Sequence, residues 1–93
     1  MSYRIRLQLE AIDDIQSAYA WYERQRAGLG DEFVREIEIC YDKLSEHPQH
    51  YTSMNKYYRR IKVDRFPYIV VYEIEGSEVI INAVHHTKRK PRF

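Results

Sequence analysis

Ninety-three residues are enough for one domain and leave no room for a second core. Hydrophobic residues make up 44% of the chain, with nine Tyr, three Phe and one Trp, which excludes a disordered polar polypeptide. The net charge of +1 conceals a division: residues 1–50 carry six basic side chains against ten acidic ones, net −4, and residues 51–93 carry nine against four, net +5. An anionic partner for the second half and an ordinary solvated surface both account for that division.

Tyr3, Ile5, Leu7 and Leu9 alternate with polar residues, the period of a strand with one buried face. Arg4 and Arg6 interrupt the apolar stretch that a signal peptide needs. No run approaches the ~20 apolar residues of a membrane span, so a cytoplasmic protein without membrane contact is expected. From about Ala11 the period changes. Ile12, Ile15, Tyr19 and Tyr22 recur at three and four residues behind Asp13 and Asp14, which predicts a helix with Tyr19 and Tyr22 in the core and Gly28 as its terminator. Trp21 lies off that stripe and is expected to be an exposed anchor for another protein or for a second copy.

Phe33, Ile37, Cys40, Tyr41 and Leu44 mark one face of a second helix that stops before Pro48, and the two helices make a hairpin. Cys40 is the only cysteine, which excludes an internal disulfide and reads as a small buried apolar group. Residues 48–56 read as a loop. Strands are predicted from Tyr57 to Val63, Pro67 to Glu75 and Glu78 to His86, the last two joined by a tight turn at Gly76-Ser77. Consecutive apolar residues at 69–71 and 79–81 predict strands covered on both faces. The resulting fold class is α+β, ordered β-α-α-β-β-β, with a helical hairpin on a mainly antiparallel four-stranded sheet. Four histidines and one cysteine show no ligand spacing, so no metal and no cofactor is expected.

Gly28-Leu29-Gly30 with Phe33, Pro48 with Tyr51, Arg60, Arg65-Phe66-Pro67-Tyr68 with Tyr72, and the ending His86-Thr87-Lys88-Arg89-Lys90-Pro91-Arg92-Phe93 follow one another along the chain. In that order and at those separations the sequence resembles the RelE/ParE superfamily of bacterial toxins, over 1–93 as one toxin domain. The closing block looks like the family ending of His, two residues, Arg, one residue, Pro, one residue and an aromatic. The resemblance implies the toxin of a type II toxin-antitoxin system, neutralised by a cognate antitoxin. Homodimer and heterotetramer with the antitoxin both stay open. RelE-like members cut mRNA on the ribosome; ParE-like members poison DNA gyrase without being nucleases. The Phe-Pro-Tyr block and the ending look nearer to the ParE-like and plasmid-stabilisation branch. A non-toxic relative that only binds or regulates keeps the same fold.

Metal-free RNA cleavage needs a base near the 2′-hydroxyl, cations beside the phosphate and an acid at the leaving oxygen. If the chain is RelE-like, His86, Arg60 and Arg65 are the catalytic candidates. Strand alternation puts Tyr58, Arg60 and Lys62 on one face and Arg59 with Ile61 and Val63 on the other, and Arg60 is also the arginine at the family position. Parity does not sort His85 from His86; the family match favours His86, for a structural role or as acid or base. Phe93 stands where such a nuclease wants a hydroxyl, which weighs against cleavage unless Tyr57 or Tyr58 substitutes or His86 takes the proton instead. A gyrase-binding surface needs arginine and aromatic anchors, for which Arg60, Lys62, Arg65, Arg89 and Phe93 are the candidates. Trp21 is the candidate antitoxin contact.

Overall fold

The computed structural model describes residues 2–88. Strand β1 (Arg4–Leu7) leads into helix α1 (Leu9–Gln25) and helix α2 (Leu29–Glu46). A 3-10 turn (Pro48–His50) follows, then β2 (Thr52–Ser53), β3 (Arg59–Lys62), β4 (Tyr68–Glu75) and β5 (Glu78–His86). The sheet order is β1-β5-β4-β3-β2. Only the β1–β5 pair is parallel; β2–β3, β3–β4 and β4–β5 are antiparallel.

The sheet therefore has five strands where four were expected, because the segment predicted as loop contributes β2. Two residues are too few to show a period. They are held in place instead by an Asx turn, in which Asn55 Oδ1 accepts the N–H groups of Tyr57 and Tyr58 at 2.8 and 2.9 Å while Met54 N donates to Tyr58 O.

The helices cover one face of the sheet. Phe33, Ile37, Cys40 and Leu44 of α2 and Ala11, Ala18 and Tyr22 of α1 bury against Ile61, Val70, Tyr72, Val79, Ile81 and Val84. The buried stripe of α1 is displaced from the predicted one: Ile12 and Tyr19 sit at the exposed border, and small alanines take the inner positions and let the helix lie close to the sheet. Tyr19 is thus not a core residue; its ring lies over Gly30. Cys40 is buried as expected, and burial pushes its thiol up to about 11, which keeps it protonated at neutral pH.

The connection between the helices is built around Glu23. Its carboxylate accepts Gly28 N–H at 3.0 Å and Gly30 N–H at 2.8 Å, satisfying orphan donors at the start of α2 and placing negative charge at that terminus. Gly28 does not terminate α1, which ends at Gln25; with φ +91° it is the N-cap of α2. At the other turn, Gly76 has φ +58° and Ser77 keeps an ordinary φ, the pattern of a type II′ hairpin between the paired Glu75 and Glu78.

β5 carries one extra residue. Val71 pairs with Ala83 but Tyr72 pairs with Ile81, so Asn82 has no partner of its own and forms a bulge. Its side-chain amide donates to Glu73 Oε2 at 3.0 Å. The bulge reverses the in-out alternation of everything after it.

Candidate functional site

Beyond the bulge, Val84 and His86 face the helix side and His85 takes the opposite face, in the row of Ile69 and Lys62. His86 therefore stands at the end of a groove of about 730 Å³ between α1 and the ends of β4 and β5. The groove has a near-continuous aromatic wall. Trp21 meets Tyr22 edge to face at 5.1 Å, Tyr22 meets Tyr68 at 6.1 Å, and Tyr68 meets the His86 ring at 5.3 Å. Trp21 is 50% exposed, an unusual surface position for an indole and the one expected from its place off the helix stripe. Pro67, Ala18 and Val84 add apolar surface; Asp14, Ser17 and Arg24 form the polar rim. The size suits a few side chains of a partner.

The opposite face of the sheet carries Arg60. Arg60 is exposed there, diagonal to Ile69 and paired with Val71. Lys62 shares the face at its Cα, but its ammonium turns back to donate to Val63 O and Phe66 O, each at 2.6 Å, closing the turn between β3 and β4. Arg59 points the other way, as alternation predicts, and its guanidinium donates to Tyr51 O at 2.9 Å and Gln49 O at 3.2 Å. The tip before β3 exposes Tyr57 with the Lys56 ammonium 5.7 Å from its ring centroid.

Arg65 is at neither place. It occupies the turn after β3 with φ 70°, where its guanidinium bonds Glu32 and lies 3.6 Å from Glu36 on α2. The Arg65 hydrogen bond, followed by that of Arg26 at 3.0 Å, holds the Glu32 carboxyl below the usual range, and Glu32 raises Arg65 in return. This arginine fastens the β3–β4 turn to α2. His85 is buried, with Nδ1 3.2 Å from His86 O and no partner for Nε2 among the described residues.

The residues singled out in the sequence thus fall in separate places. Arg60 lies on the sheet face away from the helices, Arg65 is in an ion-pair cluster on α2, and His86 and Trp21 belong to the groove. Arg89 and Phe93 lie outside the described residues. Among the described residues no cluster of three or more His, Cys, Asp or Glu side chains is placed to hold a metal ion, and no helix is long and apolar enough to cross a membrane. Asp14, Arg24 and Tyr68 were not singled out beforehand as groove residues. Asp14 is by its sequence position a helix charge, yet its Oδ2 accepts Val84 N–H at 3.0 Å across 70 residues of sequence, a contact that no local pattern announces.

The family described as ParE toxin of type II toxin-antitoxin system, parDE, matches residues 5–91. A solved structure described as the chromosomal ParDE TA system from P. aeruginosa has the same fold, with a TM-score of 0.80 at 17% identity over 91% of this chain and 96% of that one. No curated protein matches.

Proposed function

Because the chain belongs to the ParE toxin family of type II toxin-antitoxin systems, we propose that it acts in the cytoplasm by docking on DNA gyrase and is neutralised by a cognate antitoxin seated in the Trp21 groove. One observation carries the choice of docking over cleavage. Acid-base cleavage of RNA needs its acid, its base and its phosphate contacts within hydrogen-bond reach of one phosphodiester. His86, Arg60 and Arg65 are distributed over the groove, the far face of the sheet and the α2 cluster. A docking surface asks only for exposed anchors. Arg60 and the Lys56-Tyr57 tip supply these on the half of the chain with net charge +5.

The groove suits the antitoxin for a different reason. Trp21 leaves half of its surface exposed beside the groove wall of Tyr22 and Tyr68. Burying an indole of this kind commonly contributes 2 kcal/mol or more to an interface, to order of magnitude.

The test uses purified chain in two reactions. In a supercoiling reaction with purified gyrase, the wild type is expected to inhibit and Arg60→Ala to inhibit less. In a cell-free translation reaction, primer extension is expected to show intact mRNA. New 5′ ends that appear only with ribosomes and fade with Arg60→Ala would overturn the docking reading in favour of a ribosome-dependent endoribonuclease. Growth unaffected by expression without antitoxin, together with silence in both reactions, would overturn toxicity itself.

A further inference from the structure

We propose that the tip between β2 and β3 contacts the DNA that gyrase holds, with Lys56, Asn55 and Arg60 on backbone phosphates and Tyr57 packed on the neighbouring sugar or base; this rests on the reading of gyrase as the target. Residues 47–63 include Lys56, Arg59, Arg60 and Lys62 and not one Asp or Glu, the longest stretch of the chain without a carboxylate. Two of these cations serve the fold. Arg59 is bonded to Gln49 O and Tyr51 O, and Lys62 to Val63 O and Phe66 O. Lys56 and Arg60 are exposed and form no ion pair among the described residues. Glu73, two residues along β4 from Val71, the partner of Arg60, accepts the Asn82 amide instead.

The backbone of the tip is held in place before any partner arrives, so little ordering opposes binding. Met54 N and Asn55 N donate to Tyr58 O at 2.8 and 3.3 Å, Ser53 Oγ donates to Asn55 O at 3.0 Å, and Asn55 Oδ1 accepts the N–H groups of Tyr57 and Tyr58. With Oδ1 occupied, the Asn55 side chain has only its NH2 to offer, a donor without a partner among the described residues. Ser53, Asn55 and Lys56 line a recess of about 140 Å³ whose lining includes no carboxylate. A drug-sized ligand needs about 300 Å³ or more. A single phosphate group is of the size and charge that this recess admits.

An acidic protein surface would also satisfy two cations, and the aromatic ring separates the two partners. Tyr57 is 69% exposed with the Lys56 ammonium 5.7 Å from its ring centroid. A nucleotide brings a phosphate together with a flat base at a fixed spacing, which matches a ring flanked by cations. An aspartate or glutamate brings the charge without such a surface. Gyrase works on DNA, so a chain docked at its working site has phosphodiesters within reach. The contacts are to the backbone, so they carry no sequence preference.

The test places a photocrosslinker at the ring, Tyr57→p-azidophenylalanine, in the full chain, with folding checked by circular dichroism. The variant is added to purified gyrase on fluorescein-labelled duplex DNA and irradiated, and the label shows whether the adduct is on DNA or on a gyrase polypeptide. The adduct is expected on DNA. Lys56→Gln and Arg60→Gln should each raise the concentration of chain that half-inhibits supercoiling by about eightfold at 0.1 M salt and about fourfold at 0.2 M, the loss of one released counterion. Arg35→Gln, exposed on α2, should leave it unchanged. Adducts on gyrase polypeptide alone, or none while supercoiling is still inhibited, overturn the DNA contact and leave the gyrase reading intact. So does a Lys56→Gln chain that inhibits like wild type at both salt concentrations, a readout that stands even if the crosslinking variant fails to fold. Wild-type chain that leaves supercoiling untouched removes the gyrase reading and this inference with it.

Discussion

Replacing Gly30 with Ala is expected to destabilise the protein by about 2 kcal/mol, although alanine is the better helix former by about 1 kcal/mol. A Cβ at this position would lie 2.7 Å from Glu23 Cγ, 2.8 Å from Tyr19 Cδ2 and 2.8 Å from Tyr19 O. The first two are side chains and can move. Moving Glu23, however, gives up the bonds from Gly28 N–H and Gly30 N–H, each about 1 kcal/mol or somewhat more for a charged acceptor. Tyr19 O is backbone, so that contact is relieved only if α1 and α2 separate. Forced contacts in packed interiors cost about 1–3 kcal/mol. Together these exceed the propensity gain by roughly 2 kcal/mol, or a fall in Tm of about 10 °C for a domain of this size. Thermal and urea unfolding followed by circular dichroism measure it. Gly28→Ala is the control, since nothing lies within 4 Å of its Cβ and only the cost of φ +91° remains. A Gly30→Ala variant that melts within 2 °C of wild type, by the same scale, would refute the claim that the helices meet too closely for a methyl group.

Tyr72→Phe removes the hydroxyl that donates to Pro48 O in the core; leaving that carbonyl without its donor should cost about 1–3 kcal/mol, read as a lower urea midpoint with unchanged m. Cys40 has its thiol raised from the ordinary 9.0 to about 11 by burial, so the folded state favours the protonated form. The unfolded chain releases its proton first, and stability should be lost as pH rises from 9 toward 11. A Cys40→Ala variant should show a shallower loss over that window in denaturant titrations; parallel curves would contradict the assignment. The Glu32 carboxyl is held low by Arg65 and then Arg26. Its contribution is present above the unfolded value near 4.5 and lost as pH falls through the lower folded value. The Tm gap between wild type and Glu32→Gln should therefore be widest near neutrality and close in acid.

The helices, β4 and β5 were legible because each is long enough to display its period, and the Gly76-Ser77 turn fixed where one strand ends and the next begins. β2 was not legible, since two residues have no period and its pairing is set by the side chain of Asn55. In the stripe of α1, Tyr22 and Ile15 pack inward as expected, and Ile12 and Tyr19 give way to Ala11 and Ala18 for a physical reason: hydropathy ranks the larger pair higher, whereas a helix pressed onto a sheet selects small residues for the line of closest approach. Arg60 fell on the expected face because β3 is regular. Lys62 fell on it only at its Cα, since the bonds that pull its ammonium to Val63 O and Phe66 O come from a turn whose shape is not local information.

The two histidines show most clearly where pattern reading stops. Both faces of β5 are apolar through Val79, Ile80 and Ile81, so parity gives no answer to begin with. Asn82 then inserts a residue and reverses whatever parity there was. A bulge follows from the pairing of two strands, and neither strand alone encodes it. Its consequence is that His86, chosen from the family ending, shares a wall with Trp21 and Tyr68, while His85 takes the face of Arg60. The same inserted residue aims Val84 N–H at Asp14. One inserted asparagine thus separates a histidine from the face of Arg60 and brings it to the groove.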